Sequence, residues 1–382
     1  MRAFTYHNPT RIEFGQGKEK LIGQYMAEYG VKKALIVYGS DRIKQNGLFH
    51  SVVNSLVENS IAYETLGGVV SNPLLSKVYE GIEIAKTRGV DAVLAVGGGS
   101  VLDSSKAIAA GAKYDGDVWD FFIGKGFPKQ ALKIFDIMTL AATGSEMNNY
   151  GVVTNEMTRE KLSLAGPTTY PTVSVINPEL QATVANDYLA YSASDIFAHS
   201  LDMYLSATYL PEYMAGYVEN ILKTVMRTTE LLLADSTDYN ARAEFAWAAT
   251  QALNFTTFCG VENNRFDTHF LEHTLSAEYN IAHGAGLSII MPAWMKWQKQ
   301  HQPQRFERFA KIMFGVNGAD AGIDALKTWY SKIGAPVTLK EGNIPETDIP
   351  MLTDKLQAVA KLWGAEALYT RDMITGVLEN AK

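Results

Sequence analysis

A change of periodicity near residue 186 constrains this chain more than any other feature. Before it, short apolar runs alternate with segments of helical period. The runs at 34–38, 61–66 and 92–96 are each followed by a helical stretch, at 43–57, 74–87 and 101–110. That βαβαβα order predicts a parallel sheet with right-handed crossovers. Apolar runs at 133–139 and 173–176 offer further strands. Beyond 186 a helical period takes over at 187–206, 212–234, 241–258, 285–299 and 321–333, and Pro292 is expected to kink or split the fourth of these. The reading is α/β followed by all-α, with a sheet domain at 1–182 and a helical domain at 183–382. A chain of 382 residues can bury two such cores.

Charge and cysteine content narrow the function. Thirty-four Lys and Arg against 41 Asp and Glu leave a net charge of −7, which argues against nucleic acid as the main partner. A single cysteine, Cys259, allows no intrachain disulfide and no multi-cysteine metal site. No apolar run approaches the ~20 residues of a membrane span, and the first residues lack the pattern of a secretory signal. No membrane partner and a cytoplasmic setting are therefore expected.

The run at 93–96 leads into Gly97-Gly98-Gly99-Ser100 and then a helix. Glycines there let backbone approach a ligand, and the helix start offers unpaired N–H groups to a pyrophosphate. Asp103 and Lys106 share a face of that helix. A second turn, Gly39-Ser40-Asp41-Arg42-Ile43-Lys44, follows the first strand. In a doubly wound sheet both turns line one crevice. Arg42 and Lys44 suit a ribose 2′-phosphate, whereas the Asp41 carboxylate suits ribose hydroxyls.

Four of the seven histidines fall between 199 and 283. Asp195 and His199 stand one helical turn apart, as do His269 and His273. An unbroken helix would hold His269 and His283 about 21 Å apart, at ~1.5 Å per residue. They meet only if the helix ends between them, and Asn280 is the expected stop, with a restart near His283. Three imidazoles and a carboxylate suit zinc or ferrous iron. Spacing alone leaves open which three of His199, His269, His273 and His283 are ligands. The fourth is then free to move a proton.

These residues carry a family resemblance. Gly97-Gly98-Gly99-Ser100-Val101-Leu102-Asp103-Ser104-Ser105-Lys106 resembles the GGGSxxDxxK motif of the iron-containing alcohol dehydrogenases. Asp195, His199, His269, His273 and His283 match that family's metal and catalytic positions, and the likeness spans essentially the whole chain. The butanol dehydrogenase and NADPH-dependent aldehyde reductase branch is the most similar. The resemblance implies an N-terminal dinucleotide-binding domain and a C-terminal helical metal-binding domain, in the two-domain plan also found in dehydroquinate synthases. It implies hydride transfer between NAD(P)H and a small aldehyde or primary alcohol such as butanal or butanol.

Asp195, His199, His269 and His283 would hold one divalent metal, Fe²⁺ or Zn²⁺, and His273 would assist proton movement. Gly97, Gly98, Gly99, Ser100 and Asp103 would hold the pyrophosphate and nearby ribose. Asn72, Thr139, Leu140, Thr143, Ser145 and Lys161 would line the rest of the dinucleotide site. Gly39, Ser40, Asp41, Arg42 and Lys44 would surround the adenosine ribose, with NADP ahead of NAD. A homodimer is also implied. Asn177 stands where the family commonly has an acid. The competing readings are a dehydroquinate-synthase-like lyase and a glycerol dehydrogenase relative. The lyase needs several cations beside the metal, and only Arg265 is available between 265 and 283.

Overall fold

The protein is described here by a computed structural model covering residues 1–382. The chain divides into two compact units, His7–Thr183 and Val184–Lys382, with Met1–Tyr6 joining the second. Those first residues are held there by Arg2 N–H donating to Gly260 O at 3.2 Å and by the Met1 amino group on the Tyr209 hydroxyl at 3.0 Å.

The first unit is built on a sheet of β1 (Arg11–Phe14), β2 (Lys33–Tyr38), β3 (Ala62–Leu66), β4 (Ala92–Gly97), β5 (Lys133–Met138) and β8 (Val173–Ile176). Its order is β1-β8-β5-β4-β2-β3, and every pairing is parallel. The helices α1 (Ile22–Glu28), α2 (Arg42–Gln45), α3 (Leu48–Glu58), α4 (Leu75–Thr87) and α5 (Gly99–Gly111) connect the strands. β4 is buried along its whole length, as a central strand covered on both faces must be. A separate antiparallel pair, β6 (Tyr150–Asn155) and β7 (Glu160–Ala165), follows β5.

The second unit is helical. It holds α6 (Asn186–Ser206), α7 (Glu212–Ala234), α8 (Tyr239–Ala252), α9 (Asp267–Tyr279) and α10 (His283–Gln298). It continues with α11 (Pro303–Phe314), α12 (Ala319–Lys332), α13 (Ile349–Leu362) and α14 (Arg371–Asn380). No helix is long and apolar enough to cross a membrane.

Several elements differ from the sequence expectation. The β6–β7 hairpin was not anticipated, and the N-terminal strand expected around Phe4 to Phe14 is confined to Arg11–Phe14. β1 has only four residues, too few for a period to stand out. The stretch 43–57 breaks at Gly47, which adopts a left-handed φ of 85° between α2 and α3. The stretch 241–258 ends early, at Ala252. There Asn254 Oδ1 accepts from Thr256 N–H at 3.0 Å, a local turn that competes with the helix. Pro292 does not split α10, which runs through it. Asn177 gains a reason: its Oδ1 accepts from Glu179 N–H at 3.0 Å and its amide donates to Glu19 Oε2 at 2.9 Å. An acid at 177 would repel Glu19.

Asp136 is a carboxyl in the middle of an apolar strand, fully buried. Register sets it opposite Ser174, whose hydroxyl bonds Asp136 Oδ2 and lies 2.7 Å from Glu146 O. One hydroxyl proton cannot serve both acceptors. A proton on Asp136 would let it donate to Ser174 and free the Ser174 hydroxyl for Glu146 O. Burial, with Glu146 adding to it, pushes its pKa well above the usual 3.8. The unfolded chain ionises this group at a lower pH than the folded chain does. Its cost to stability thus grows as pH rises above the unfolded pKa. Asp136→Asn keeps the donor and removes the titration. Its urea midpoint relative to the parent is expected to rise between pH 4 and pH 8. A constant difference across that range would show that Asp136 is ionised.

Candidate active site

Three adjacent parallel strands deliver the glycine turns. β2, β4 and β5 pair with Tyr38 opposite Val96 and Gly97 opposite Met138. Their C-terminal ends therefore place the turn at 39–44, the turn at 97–99 and the loop at 139–143 side by side. None of Gly97, Gly98 and Gly99 has positive φ; they serve close approach instead. A Cβ on Gly99 would sit 2.4 Å from Thr143 Cγ2, and one on Gly98 would sit 3.2 Å from Leu140 Cβ. Thr139 N–H closes the contact by donating to Gly97 O at 2.9 Å. Ser100 is half-buried in the first turn of α5. The orphan N–H groups at this helix start form a natural anion seat.

Asp103 and Lys106 are buried beneath that seat, and both have protein partners. Lys106 Nζ donates to the carbonyls of Ser145, Asn148 and Tyr150 at 2.7, 2.9 and 2.8 Å. Burial pulls its pKa down to about 8 while Asp103 holds it up. Asp103 accepts from Ser145 Oγ at 2.8 Å and from Val152 N–H at 3.1 Å. Asp103 and Ser145 thus brace the loop after β5 from inside. Lys161 donates to Asn72 Oδ1 at 3.0 Å, so two residues far apart in sequence meet as a buried pair.

The turn at 39–44 is exposed at Ser40, Asp41, Arg42 and Lys44. Lys44 Nζ pairs with Asp41 Oδ1 at 2.8 Å and lies 5.1 Å from the centre of the Tyr38 ring. Gly39 O accepts from Gly68 N–H at 2.7 Å.

In the helical unit α6 carries Asp195 and His199, and α9 carries His269 and His273. α9 stops at Asn280, which takes a left-handed φ of 50° and returns its N–H to Ser276 O. α10 restarts at His283. The break brings Nε2 of His199, His269 and His283 to 3.6, 3.5 and 3.7 Å from one atom, Asp195 Oδ1. These are too long for good hydrogen bonds. Asp195 Oδ1 and His269 Nε2 are buried and have no hydrogen-bond partner. A tetrahedral ion with arms of about 2.0–2.2 Å separates its ligands by about 3.3–3.6 Å. The spacing and the orphaned atoms therefore fit a metal ion. His273 stands alongside, its ring centre 5.4 Å from that of His283 and 6.5 Å from that of His269.

Electrostatics give the same picture. Burial works against the Asp195 charge, but His199, His269 and His283 hold its pKa well below the carboxylate range. Burial drags His199 down to about 3 despite Asp195. Burial opposes charge on His269 too, yet Asp195 and Asp202 push it up to about 9. A sealed carboxylate needs a cation beside it.

Sequence reasoning missed the residues behind the rings. His269 Nδ1 meets Asp202 Oδ2 at 2.8 Å, and Asp202 also accepts from Thr268 N–H and Oγ1 at 3.0 and 2.8 Å. His283 Nδ1 meets Glu272 Oε2. Both were findable: Asp202 is seven residues after Asp195 on the same helix face, and Glu272 is three after His269. Arg265 is tied to Asp267 Oδ2 at 2.9 Å. Phe266 packs edge-on against His269 at 5.5 Å between centres.

Residues 9–178 match the family described as Iron-containing alcohol dehydrogenase, and residues 189–381 match Fe-containing alcohol dehydrogenase family, C-terminal. A probable NADH-dependent butanol dehydrogenase of Bacillus subtilis is 36% identical over 383 residues, covering 98% of each chain. An NADPH-dependent aldehyde reductase of Escherichia coli is 29% identical, over 94% of this chain and 93% of that one. The crystal structure of an NADH-dependent butanol dehydrogenase from Thermotoga maritima has a TM-score of 0.97 at 44% identity, covering 100% of this chain and 99% of that chain. With matches across both halves, the chain belongs to the iron-containing alcohol dehydrogenase family.

Proposed function

We propose that this protein is an NAD(P)-dependent alcohol dehydrogenase that interconverts small aliphatic aldehydes and primary alcohols, butanal and butanol among them. The observation that carries this reading is the ring of three imidazole nitrogens around the orphaned Asp195 Oδ1. Asp195, His199, His269 and His283 are the proposed holders of one divalent metal, with Fe²⁺ ahead of Zn²⁺ because the family is iron-containing. When bound, such an ion polarises a carbonyl or alcohol oxygen as a Lewis acid.

The remaining work falls to the chain itself. Asp202 and Glu272 hold two of the rings from behind. His273 is the proposed proton carrier, beside the ring cluster and outside the set of three that faces Asp195. The glycine turn seats the pyrophosphate, and the Asp103–Lys106 brace keeps its neighbouring loop in place. Phe266 offers an apolar wall next to His269, suited to an alkyl chain. Arg265 is committed to Asp267, which leaves the lyase reading without the free cation its substrate demands.

For the cofactor we assign NADH, in place of the NADP that the family resemblance put first. Asp41 pairs with Lys44, which cancels one of the two cations available to a 2′-phosphate. The carboxylate remains exposed, and it repels phosphate while accepting from ribose hydroxyls. The Bacillus and Thermotoga relatives bear NADH-dependent names.

Three outcomes are expected. His199→Ala loses the metal, read as metal per chain by elemental analysis. His273→Ala keeps metal near one per chain while turnover with butanal drops by about 10²–10⁴-fold, the usual worth of a general acid–base group. Loss of metal from that variant would move His273 into the ligand set. Initial rates favour NADH over NADPH, and Asp41→Ala narrows that ratio by about fivefold, matching about 1 kcal/mol for an exposed charge. A parent enzyme faster with NADPH would overturn the cofactor assignment.

A further inference from the structure

Glu272 has no solvent exposure and lies on α9 between His269 and His273. Its oxygens are held separately. Oε2 meets His283 Nδ1, and Oε1 accepts from the Ser276 hydroxyl one turn further on. α10 makes room for it: a Cβ on Gly286 would lie 2.5 Å from Glu272 Oε1 and 2.7 Å from its Cγ. Gly284 lets the same helix start press onto α6, where a Cβ would lie 1.9 Å from Tyr191 O. Two glycines in one helical turn are unfavourable for a helix, by about 1 kcal/mol each relative to alanine. Here each makes space that a side chain would fill.

His283 is the ring that most needs such a hold. Its side chain is 23% exposed, against 6% for His199 and 10% for His269. As the first residue of α10, it also lacks a preceding helical turn to pack on. A half-exposed imidazole has two tautomers and two ring orientations, and only one combination points an unprotonated Nε2 at Asp195.

We propose that Glu272 is a positioning residue for the metal centre. By accepting from His283 Nδ1–H it fixes the tautomer that offers the Nε2 lone pair to the cation, and it adds a negative charge one ring away. This rests on the assignment of His283 as a ligand. Carboxylates behind ligand imidazoles orient them and raise their basicity. Asp202 does the same for His269, at 2.8 Å. His199 Nδ1, in contrast, is buried without a hydrogen-bond partner, so packing alone orients that ring. Glu272, His273 and His283 lie close enough to suggest a second ion. The direct bond between Glu272 Oε2 and His283 Nδ1 occupies the space such an ion would need.

The test uses full-length protein loaded with Zn²⁺, which is diamagnetic. The parent, E272Q, E272A and H283A are compared by chelator competition and by ¹⁵N NMR of the histidine rings. E272Q is nearly isosteric and removes the charge; circular dichroism checks that each variant is folded. The expected result is one Zn²⁺ per parent chain and a dissociation constant raised about 10–100-fold in E272Q, the usual worth of such a partner. The His283 Nδ1–H resonance should shift in E272Q, and E272A should lose more affinity. Affinity within twofold of the parent, with an unmoved His283 resonance, would overturn the proposal. So would a second Zn²⁺ in the parent that E272Q loses. If H283A itself keeps full affinity, the ligand assignment fails instead, and that outcome is read separately from the Glu272 variants.

Discussion

A buried carboxylate that three imidazoles approach without bonding is an unfinished electrostatic arrangement. Asp195 cannot be solvated, and the nitrogens at 3.5–3.7 Å are too distant to satisfy it. Only a positive charge at the centre completes the group. The break between α9 and α10 at Asn280, the glycines at 284 and 286, and the carboxylates of Asp202 and Glu272 all act on this one geometry. Helix propensity alone favours neither the break nor the two glycines. A continuous helix through 280 would separate His269 from His283, and alanine at 284 or 286 would suit the helix better.

The sheet unit follows another logic. Its glycine turn packs closely against Leu140 and Thr143 of the loop after β5, and that loop is held by buried charges. Lys106 gathers carbonyls from the loop after β5, and Asp103 ties that loop to β6. Such a brace is demanding, because a buried ammonium deprived of its acceptors costs several kcal/mol, on the order of 3–5. The protein meets that demand with backbone carbonyls, which cannot be lost by substitution.

The strands at 34–38, 92–96, 133–139 and 173–176 were legible as apolar runs of interior parallel strands, and the edge strand at 62–66 from its place in the βαβ alternation. The bounds of β1 and the β6–β7 hairpin were not: β1 is short and pairs with distant residues, Val173 opposite Arg11, and the alternation of β6 and β7 is short although they pair locally. The stop at Asn280 was legible because a left-handed helix cap favours asparagine or glycine. The early end of α8 was not, since it depends on one side chain, Asn254, bonding its own backbone.

By itself the sequence determined the α/β-then-helical order, the glycine turn, and the one-turn spacings of Asp195 with His199 and His269 with His273. These are local properties, set by period and residue type. Tertiary structure decided how they are used. It selected three imidazoles to face Asp195, turned Asp103 and Ser145 inward, paired Asp41 with Lys44, and buried Asp136 beside Ser174. Each outcome depends on which atoms are brought together from separate elements, or on which way one side chain turns within a turn. A carboxylate reads identically in sequence whether it is a ligand, a brace or a neutral acid. Burial and the proton count at its oxygens distinguish the three.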